Sequence, residues 1–325
     1  MKICLTGASG FIGSAVVESI LKNGPKDIKV LSLSRSISLL EHSNLETKII
    51  NLTDLSGLEP KILEGFDTFI HAAAITHYNK IEEKKSLQEY LEINLNATLN
   101  LARAAAVAGV KRFIFLSSIG VNGANSTHPF SELDIASPHD YYSLSKYEAE
   151  LGLLDIASNT QMEVVVVRPP LVYGPGVTGS LRYMINFAKR SIPMPLRDVN
   201  NFRSLIALDN LVNFILLCAD KDKSPNAGNE IFLISDNEDI STKDLFIKLS
   251  EVYGVKARIF SFPDVLLKLV AKVIGKERMT NSLLGNLQVD ISKACSLLGW
   301  SPIINMDDQL KKMASHDIEL KKARL

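Results

Sequence analysis

The sequence is poor in several features that would send its reading elsewhere. Only three cysteines occur in 325 residues, Cys4, Cys218 and Cys295, and none sits at a CxxC spacing. That argues against a zinc site or a disulfide framework, suits a reducing cytosol, and leaves the three as small apolar residues of the interior. Lys+Arg and Asp+Glu are equal at 36 each, so the basic excess of a nucleic-acid binder is missing and any charge-based site must be local. No apolar run approaches the ~20 residues of a membrane span. The opening MKICLTGASGFIG runs into a glycine-rich turn instead of a long apolar stretch with a cleavage site. Histidines and carboxylates nowhere take metal-ligand spacing, so no metal is expected, and there are no internal repeats or low-complexity tracts. One amphipathic stretch, Pro263 to Glu277, carries lysines along one side. It is expected to pack on its own domain rather than on a membrane surface.

What is present is 46% hydrophobic residues, enough for a substantial core, arranged as short apolar runs alternating with helical spacing. Residues 2 to 6 read as a strand, followed by a glycine turn and the helical pattern FIGSAVVESILKNG. Further strands are expected at 28–34, 47–52, 67–74, 112–118 and 162–170, the last a continuous β-branched run typical of a strand buried on both faces. A long helix, SLQEYLEINLNATLNLARAAAVAG, precedes the fifth strand, and YYSLSKYEAELGLLDIAS is helical. Alternating strands and helices imply an α/β fold, a Rossmann-type doubly wound parallel sheet. Past residue 170 the pattern loosens at PPLVYGPGVTG and SIPMPLRD, where the chain leaves the sheet. It returns through the helix DNLVNFILLCAD and a strand at 229–235. The nucleotide-binding domain is thus expected at 1–170 plus about 204–235. A smaller, discontinuous, mostly helical C-terminal substrate-binding region is expected at about 171–203 plus 236–325. Trp300 is expected as a core anchor of that region.

TGASGFIG places glycines at 7, 10 and 13. Gly7 allows a tight turn, Gly10 lets the backbone approach a pyrophosphate, Gly13 allows close helix packing, and the helix N-terminus supplies donors and a positive dipole end. Because this turn follows the first strand and opens the first helix, it points to dinucleotide binding. The second strand ends Leu33-Ser34-Arg35, where an NAD site would place an acidic residue for the ribose hydroxyls. A hydroxyl and a guanidinium favour a 2′-phosphate instead, so NADP is favoured, with NAD as the alternative.

Tyr142 and Lys146 stand four apart on a helix and share a face. A tyrosine can exchange a proton with a carbonyl or alcohol oxygen while a nicotinamide carries the hydride. A nearby ammonium would lower the phenol from its ordinary value of about 10. After a glycine turn and the strand-end pair Ser117-Ser118, this spacing reads as chemistry and not packing.

The landmarks TGASGFIG, HAAA (71–74), EINLNATLNL, FLSSIGVNG, YYSLSK, RPPLVYGPG and SKACSLLGWSP together resemble the extended short-chain dehydrogenases/reductases, the nucleotide-sugar epimerase, dehydratase and reductase family. The resemblance covers nearly the whole chain. It implies Ser118, Tyr142 and Lys146 as the catalytic set, with Ser117 structural and Tyr141 and Tyr147 without a role. It implies a cofactor set of Gly7, Gly10, Phe11, Ile12, Gly13, Ser34, Arg35, Asn51, Leu52, Ala72, Ala73, Asn94, Tyr142, Lys146 and Pro169. Asn51 replaces the Asp that often binds the adenine amino group and can still accept through its amide oxygen. On the substrate side it implies Ser118, Asn122 and Arg203, the last gripping the substrate diphosphate. At the end of the fourth strand, Thr76 and His77 are expected to face the sugar and His71 to pack. Asn122 stands where the family usually has Tyr, and Leu171 where it often has Asn.

The 4,6-dehydratases of this family carry an Asp-Glu pair directly after the catalytic Ser or Thr, and here those places are Ile119 and Gly120. Dehydration is therefore set aside. A 4-ketoreductase and a 4-epimerase with tightly bound NAD both use the same Ser, Tyr and Lys. The finer resemblance of RPPLVYGPGV, RSLIALDNLV and SLQVDISKACSLLGW is to bacterial reductases of UDP-4-keto-6-deoxy-N-acetylhexosamines in surface polysaccharide synthesis. An NADPH-dependent 4-ketoreductase is the first expectation, UDP-glucose or UDP-GlcNAc 4-epimerase the second, and a non-enzymatic NADP sensor the third. The expected partner is a small-molecule nucleotide sugar in the cytoplasm, without nucleic acid or membrane insertion; a homodimer is compatible with the chain.

Overall fold

A computed structural model describes residues 1–35, 42–55, 58–76, 86–263 and 283–322. Its centre is a seven-stranded sheet built from β1 (Lys2–Thr6), β2 (Lys29–Ser34), β3 (Leu45–Ile49), β4 (Thr68–His71), β5 (Arg112–Leu116), β6 (Glu163–Arg168) and β9 (Glu230–Leu233). The strand order is β3-β2-β1-β4-β5-β6-β9 and every pairing is parallel. The order reverses between β1 and β4, and ligands of open α/β sheets bind in the crevice beyond the strand ends at such a switch point.

The inner strands read as unbroken apolar runs because both faces are covered. Ile3, Leu5, Ile70, Ile114, Val165 and Val167 face one cluster with α1 (Phe11–Asn23) and α6 (Leu208–Ala219). Their neighbours Cys4, Phe69, Phe113, Phe115, Val164 and Val166 face the other, with α3 (Ala97–Val107) and α4 (Tyr141–Ser158). The edge strand β3 is mostly exposed, so burial does not fix its pattern. It lies two residues earlier than the apolar residues of TKIINL suggest, and Ile50 packs on the core only after the strand has ended.

Two further differences from expectation concern the site. Residues 171–207 do not simply leave the sheet: β7 (Leu171–Tyr173) and β8 (Leu205–Ala207) pair in parallel as a small second sheet. The long helix before β5 is α2 (Leu87–Tyr90), a π-helical segment (Leu91–Asn96) and α3, so one wide turn interrupts it at Asn94. A third apolar cluster joins α5 (Gly179–Lys189), α7 (Thr242–Val252) and α9 (Met306–Lys322) through Leu181, Ile185, Phe246, Leu310 and Met313. Trp300, following α8 (Ser292–Leu298), packs on the sheet side. Its ring lies edge-on to Phe214 of α6 at 5.1 Å and its Nε1 donates to Asn213 Oδ1. Most of the stretch Pro263 to Glu277 lies outside the described residues. Among them, no helix is long and apolar enough to cross a membrane.

Candidate active site

The glycine turn is shaped by contacts that leave no room for side chains. Gly7 has φ +79°, a left-handed backbone that favours glycine, and a Cβ there would lie 2.7 Å from the Ala73 nitrogen. A Cβ at Gly13 would lie 2.1 Å from the Gly7 carbonyl oxygen, which already accepts the Gly10 N–H. The turn is therefore wedged between α1 and the Ala72-Ala73 backbone beyond β4. Gly10 caps α1 without a side-chain bond, and Phe11 and Ile12 begin the helix with their side chains on the core. An uncapped helix start at the switch point, behind a turn in which Gly7 and Gly13 leave no room for a Cβ, fits the pyrophosphate of a dinucleotide.

Around this turn the expected cofactor residues are arranged as follows. Ser34 ends β2, and its carbonyl accepts the Ile50 N–H that leads out of β3. Arg35 is exposed and makes no hydrogen bond or ion pair with any described residue. Asn51 turns its amide oxygen back on Thr53, accepting from its N–H and its hydroxyl at 3.2 and 2.9 Å, while Leu52 packs on the core. Asn94, fully buried in the π segment, accepts the Ile75 N–H and donates to the Ile75 carbonyl and to Ser145 Oγ. It clamps the loop after β4 to helix α4, and its amide is used in doing so.

Helix α4 begins at a capping box. Asp140 accepts the Ser143 N–H, and Ser143 Oγ accepts the Asp140 N–H. Its first turn meets the end of β5 at Gly120. A Cβ there would stand 3.2 Å from Ser143 Cβ and 3.3 Å from both Ser118 Oγ and His139 Cε1. Ser118 Oγ in turn accepts the Gly120 N–H, and the Ile119 N–H is held by the Pro169 carbonyl. Gly120 thus lies between the strand-end serine and the first turn of the Tyr-Lys helix, where any larger residue would be tightly placed.

Lys146 is 1% exposed; its Nζ donates to the Leu116 carbonyl at 2.7 Å and lies 4.4 Å above the Phe115 ring. Burial lowers its pKa to about 7 against a smaller upward pull from Glu150. Tyr142 is half-buried, with the Tyr90 ring edge-on at 6.5 Å. Here the structure corrects an expectation. Burial, reinforced by the negative charge of Asp140, pushes the phenol up, and this outweighs the lowering expected from Lys146. Tyr142 is held in its protonated form.

His71 packs, as expected from its strand-end position. Thr98 donates its hydroxyl proton to the Asn94 carbonyl, so it must accept from His71 Nε2, and Nδ1 is left to accept from Thr6 Oγ1. Burial and the Lys146 charge keep this imidazole neutral, with a pKa of about 3.

The expected substrate residues divide. Thr76 is half-buried in the loop after β4, and His77 lies outside the described residues. Asn122 is 2% exposed and spends both ends of its amide internally, accepting from Arg168 Nη1 and donating to the Ser131 carbonyl. It acts as a strut between strand and loop. Arg203 is half-buried: its backbone pairs with Ile240, and its Nη1 donates to the Gly285 carbonyl at 3.0 Å. Burial without a carboxylate partner among the described residues lowers its pKa.

Sequence reasoning missed a buried network behind the serines. Glu150 and Arg168, 1% and 4% exposed, form a forked ion pair, with Arg168 Nε and Nη2 on the two carboxylate oxygens at 3.0 and 2.5 Å. Ser117 Oγ donates to the same carboxylate, which gives Ser117 its structural role. The only trace of this in the sequence is an arginine closing an otherwise apolar buried strand.

Comparison with known proteins covers the same ground. Residues 3–234 match the NAD dependent epimerase/dehydratase family. A UDP-glucose 4-epimerase of Vibrio cholerae is 36% identical over 315 residues, 96% of this chain and 94% of its own. The structure of a UDP-glucose 4-epimerase from Thermotoga maritima with UDP-glucose superposes with a TM-score of 0.79 at 23% identity, over 99% of this chain and 100% of its own. That of a UDP-glucuronic acid 4-epimerase from Bacillus cereus in complex with NAD gives 0.78 at 24% identity, over 98% and 99%. Since the family match runs from β1 to β9, through the glycine turn, the strand-end serines and the Tyr-Lys helix alike, the chain belongs to the NAD dependent epimerase/dehydratase family, enzymes of the extended short-chain dehydrogenase/reductase class.

Proposed function

We propose that the protein is an NADPH-dependent 4-ketoreductase of a UDP-4-keto-6-deoxy-N-acetylhexosamine. The observation that carries this reading is Arg35. A guanidinium free of partners among the described residues stands at the end of β2, where a carboxylate would serve NAD, and a 2′-phosphate would meet a charge-assisted fork. The bound nicotinamide supplies the hydride at C4. Ser118 holds the C4 oxygen, and Tyr142 delivers the proton to it. A phenol kept protonated by its surroundings is already in the form that reduction consumes. Lys146 holds its ammonium on the Leu116 carbonyl, one helical turn from Tyr142, and offsets the negative charge left on the phenolate as the phenol loses its proton. Arg203 offers its unneutralised charge to the diphosphate. The glutamate that a dehydratase would need at 120 is absent, and a side chain there would press on Ser143 and Ser118.

A second reading, 4-epimerisation with NAD kept bound, is favoured by the 36% identical relative, whose name is UDP-glucose 4-epimerase. Incubation with UDP-glucose, UDP-GlcNAc and a UDP-4-keto-6-deoxy sugar, with and without NADPH, decides between them. Stoichiometric NADPH consumption with the keto-sugar alone supports reduction. Interconversion of C4 epimers without added cofactor overturns it in favour of epimerisation.

A further inference from the structure

We propose that Arg168 and Glu150 are positioning residues that together set the charge state of Lys146, with Arg168 drawing Glu150 away from the lysine. The significance of this for catalysis rests on the reading of Lys146 given above; the electrostatics do not.

Glu150 lies one helical turn beyond Lys146 on α4, so the two side chains share a face and the carboxylate is the natural counter-ion of the buried ammonium. Its oxygens are committed elsewhere. Both accept from the Arg168 fork, at 2.5 to 3.2 Å, and one also accepts from Ser117. The fork is fixed from behind, since Arg168 Nη1 donates to Asn122 Oδ1 at 2.9 Å and Asn122 is pinned to the Ser131 carbonyl. Arg168 is permanently charged. With Lys146 protonated, the buried trio therefore carries one positive charge in excess; with Lys146 neutral, it is balanced.

The other groups around Lys146 do not relieve that excess. His71 on β4 is locked as a neutral imidazole by Thr6 and Thr98. Strand β5 contributes the Phe115 ring and the Leu116 carbonyl. On α4 itself Tyr142 is a protonated phenol, facing Tyr90 of α2, and Asp140 is spent on the helix cap. Arg168 and Glu150 are thus the charged pair that tips the balance. A lysine poised near neutrality can give up and regain its proton during turnover, whereas a lysine fully paired with Glu150 could not.

The proton affinity of Lys146 is measured by carbon NMR titration of the full-length protein labelled at the lysine ε-carbon, with Lys146→Arg used to identify the resonance. No substrate is needed, so failure of the reductase reading would appear in the activity assay and not here. Arg168→Gln removes the competing cation and releases Glu150 to the lysine. It should raise the midpoint by roughly one pH unit or more. Glu150→Gln should lower it by a similar amount. Should that variant fail to fold around its unpaired arginine, the double variant Glu150→Gln/Arg168→Gln, which buries neither charge, should fold and titrate near the wild type. An unchanged or lowered midpoint in Arg168→Gln overturns the proposal. So does a double variant shifted as far upward as Arg168→Gln alone, because Glu150 would then not be the intermediary.

Discussion

The Lys146 ammonium donates to the Leu116 carbonyl at 2.7 Å, which joins helix α4 to the last residue of β5 two positions before Ser118. One hydrogen bond thereby sets the height of the Tyr-Lys helix against the strand end that carries the serine. It also holds a charge in a place with almost no solvent, and that has a cost that can be measured.

Lys146→Met should make the protein more stable at neutral pH. The lysine pKa falls from 10.5 in the unfolded chain to about 7 in the fold. Between those values the unfolded chain binds a proton that the folded chain does not, so wild-type stability rises with pH through that window. The cost of the buried charge is fully present below pH 7, at about 3–5 kcal/mol by the conversion of 1.36 kcal/mol per pH unit, less about 1 kcal/mol for the lost bond to Leu116. Urea melts at pH 6.5, 8.5 and 10.5 should show an advantage for the variant that shrinks as pH rises. An advantage that grows with pH would contradict the assignment.

Tyr142→Phe should lower kcat by about 10²–10⁴-fold, the usual worth of a positioned general acid. The ring and its edge-on contact with Tyr90 remain, so dinucleotide binding should survive. Tyr141→Phe, on the exposed side of the same turn, should leave kcat within about twofold. Stopped-flow assays with NADPH fluorescence separate binding from chemistry in both variants.

Much of this site was legible in the sequence because its parts are local. The glycine turn, the strand-end serines and the i, i+4 pair each lie within one strand-turn-helix unit, where spacing alone fixes which side chains share a face. Where the sequence misled, the cause was long-range. The Glu150–Arg168 pair joins α4 to β6 across 18 residues, and Asn122 faces inward because it completes that pair. The π turn at Asn94 is invisible to helical periodicity because it displaces the pattern for a single turn. The β7–β8 pair is only three residues per strand and sits among prolines and glycines that read as loop. The direction of the Tyr142 shift depends on how deeply the phenol is packed, which no i, i+4 rule contains.

Gly13→Ala should abolish dinucleotide binding while leaving most of the fold in place. Its Cβ would stand 2.1 Å from the Gly7 carbonyl oxygen, so either the turn or the start of α1 must shift. Strain of this kind costs about 1–3 kcal/mol, and the displaced backbone donors would no longer converge on a pyrophosphate. Gly176→Ala, at a positive φ but with nothing within 4 Å of its Cβ, serves as the control for backbone strain alone. Thermal melts and NADPH titrations on the two variants should separate: both lose stability, and only Gly13→Ala loses the cofactor.

Arg35→Ala should weaken NADPH binding by about 10–100-fold, the worth of a charge-assisted hydrogen bond of about 1.5–3 kcal/mol. NADH affinity should hardly change, because the side chain is exposed and makes no hydrogen bond or ion pair with the described residues that its removal could disturb. Raising the salt concentration should reduce the wild-type preference, as the guanidinium is exposed. Fluorescence titrations with both nucleotides test this, and a clear NADH preference unaltered by the substitution would remove the basis for an NADP enzyme.

Arg203→Leu should separate substrate binding from stability. In the fold the guanidinium is half-buried with one carbonyl partner and no described carboxylate, so its removal takes away an uncompensated charge. The backbone bonds between Arg203 and Ile240 do not involve the side chain and stay. Thermal stability should therefore hold or rise, although the Gly285 carbonyl loses a donor. A residue that pairs with the substrate diphosphate would behave differently toward ligand. KM for the UDP-sugar and Kd for UDP should rise by about 10–100-fold, with kcat at saturating substrate changed much less. A variant that melts earlier and binds UDP normally would instead make Arg203 a structural tie to the Gly285 segment.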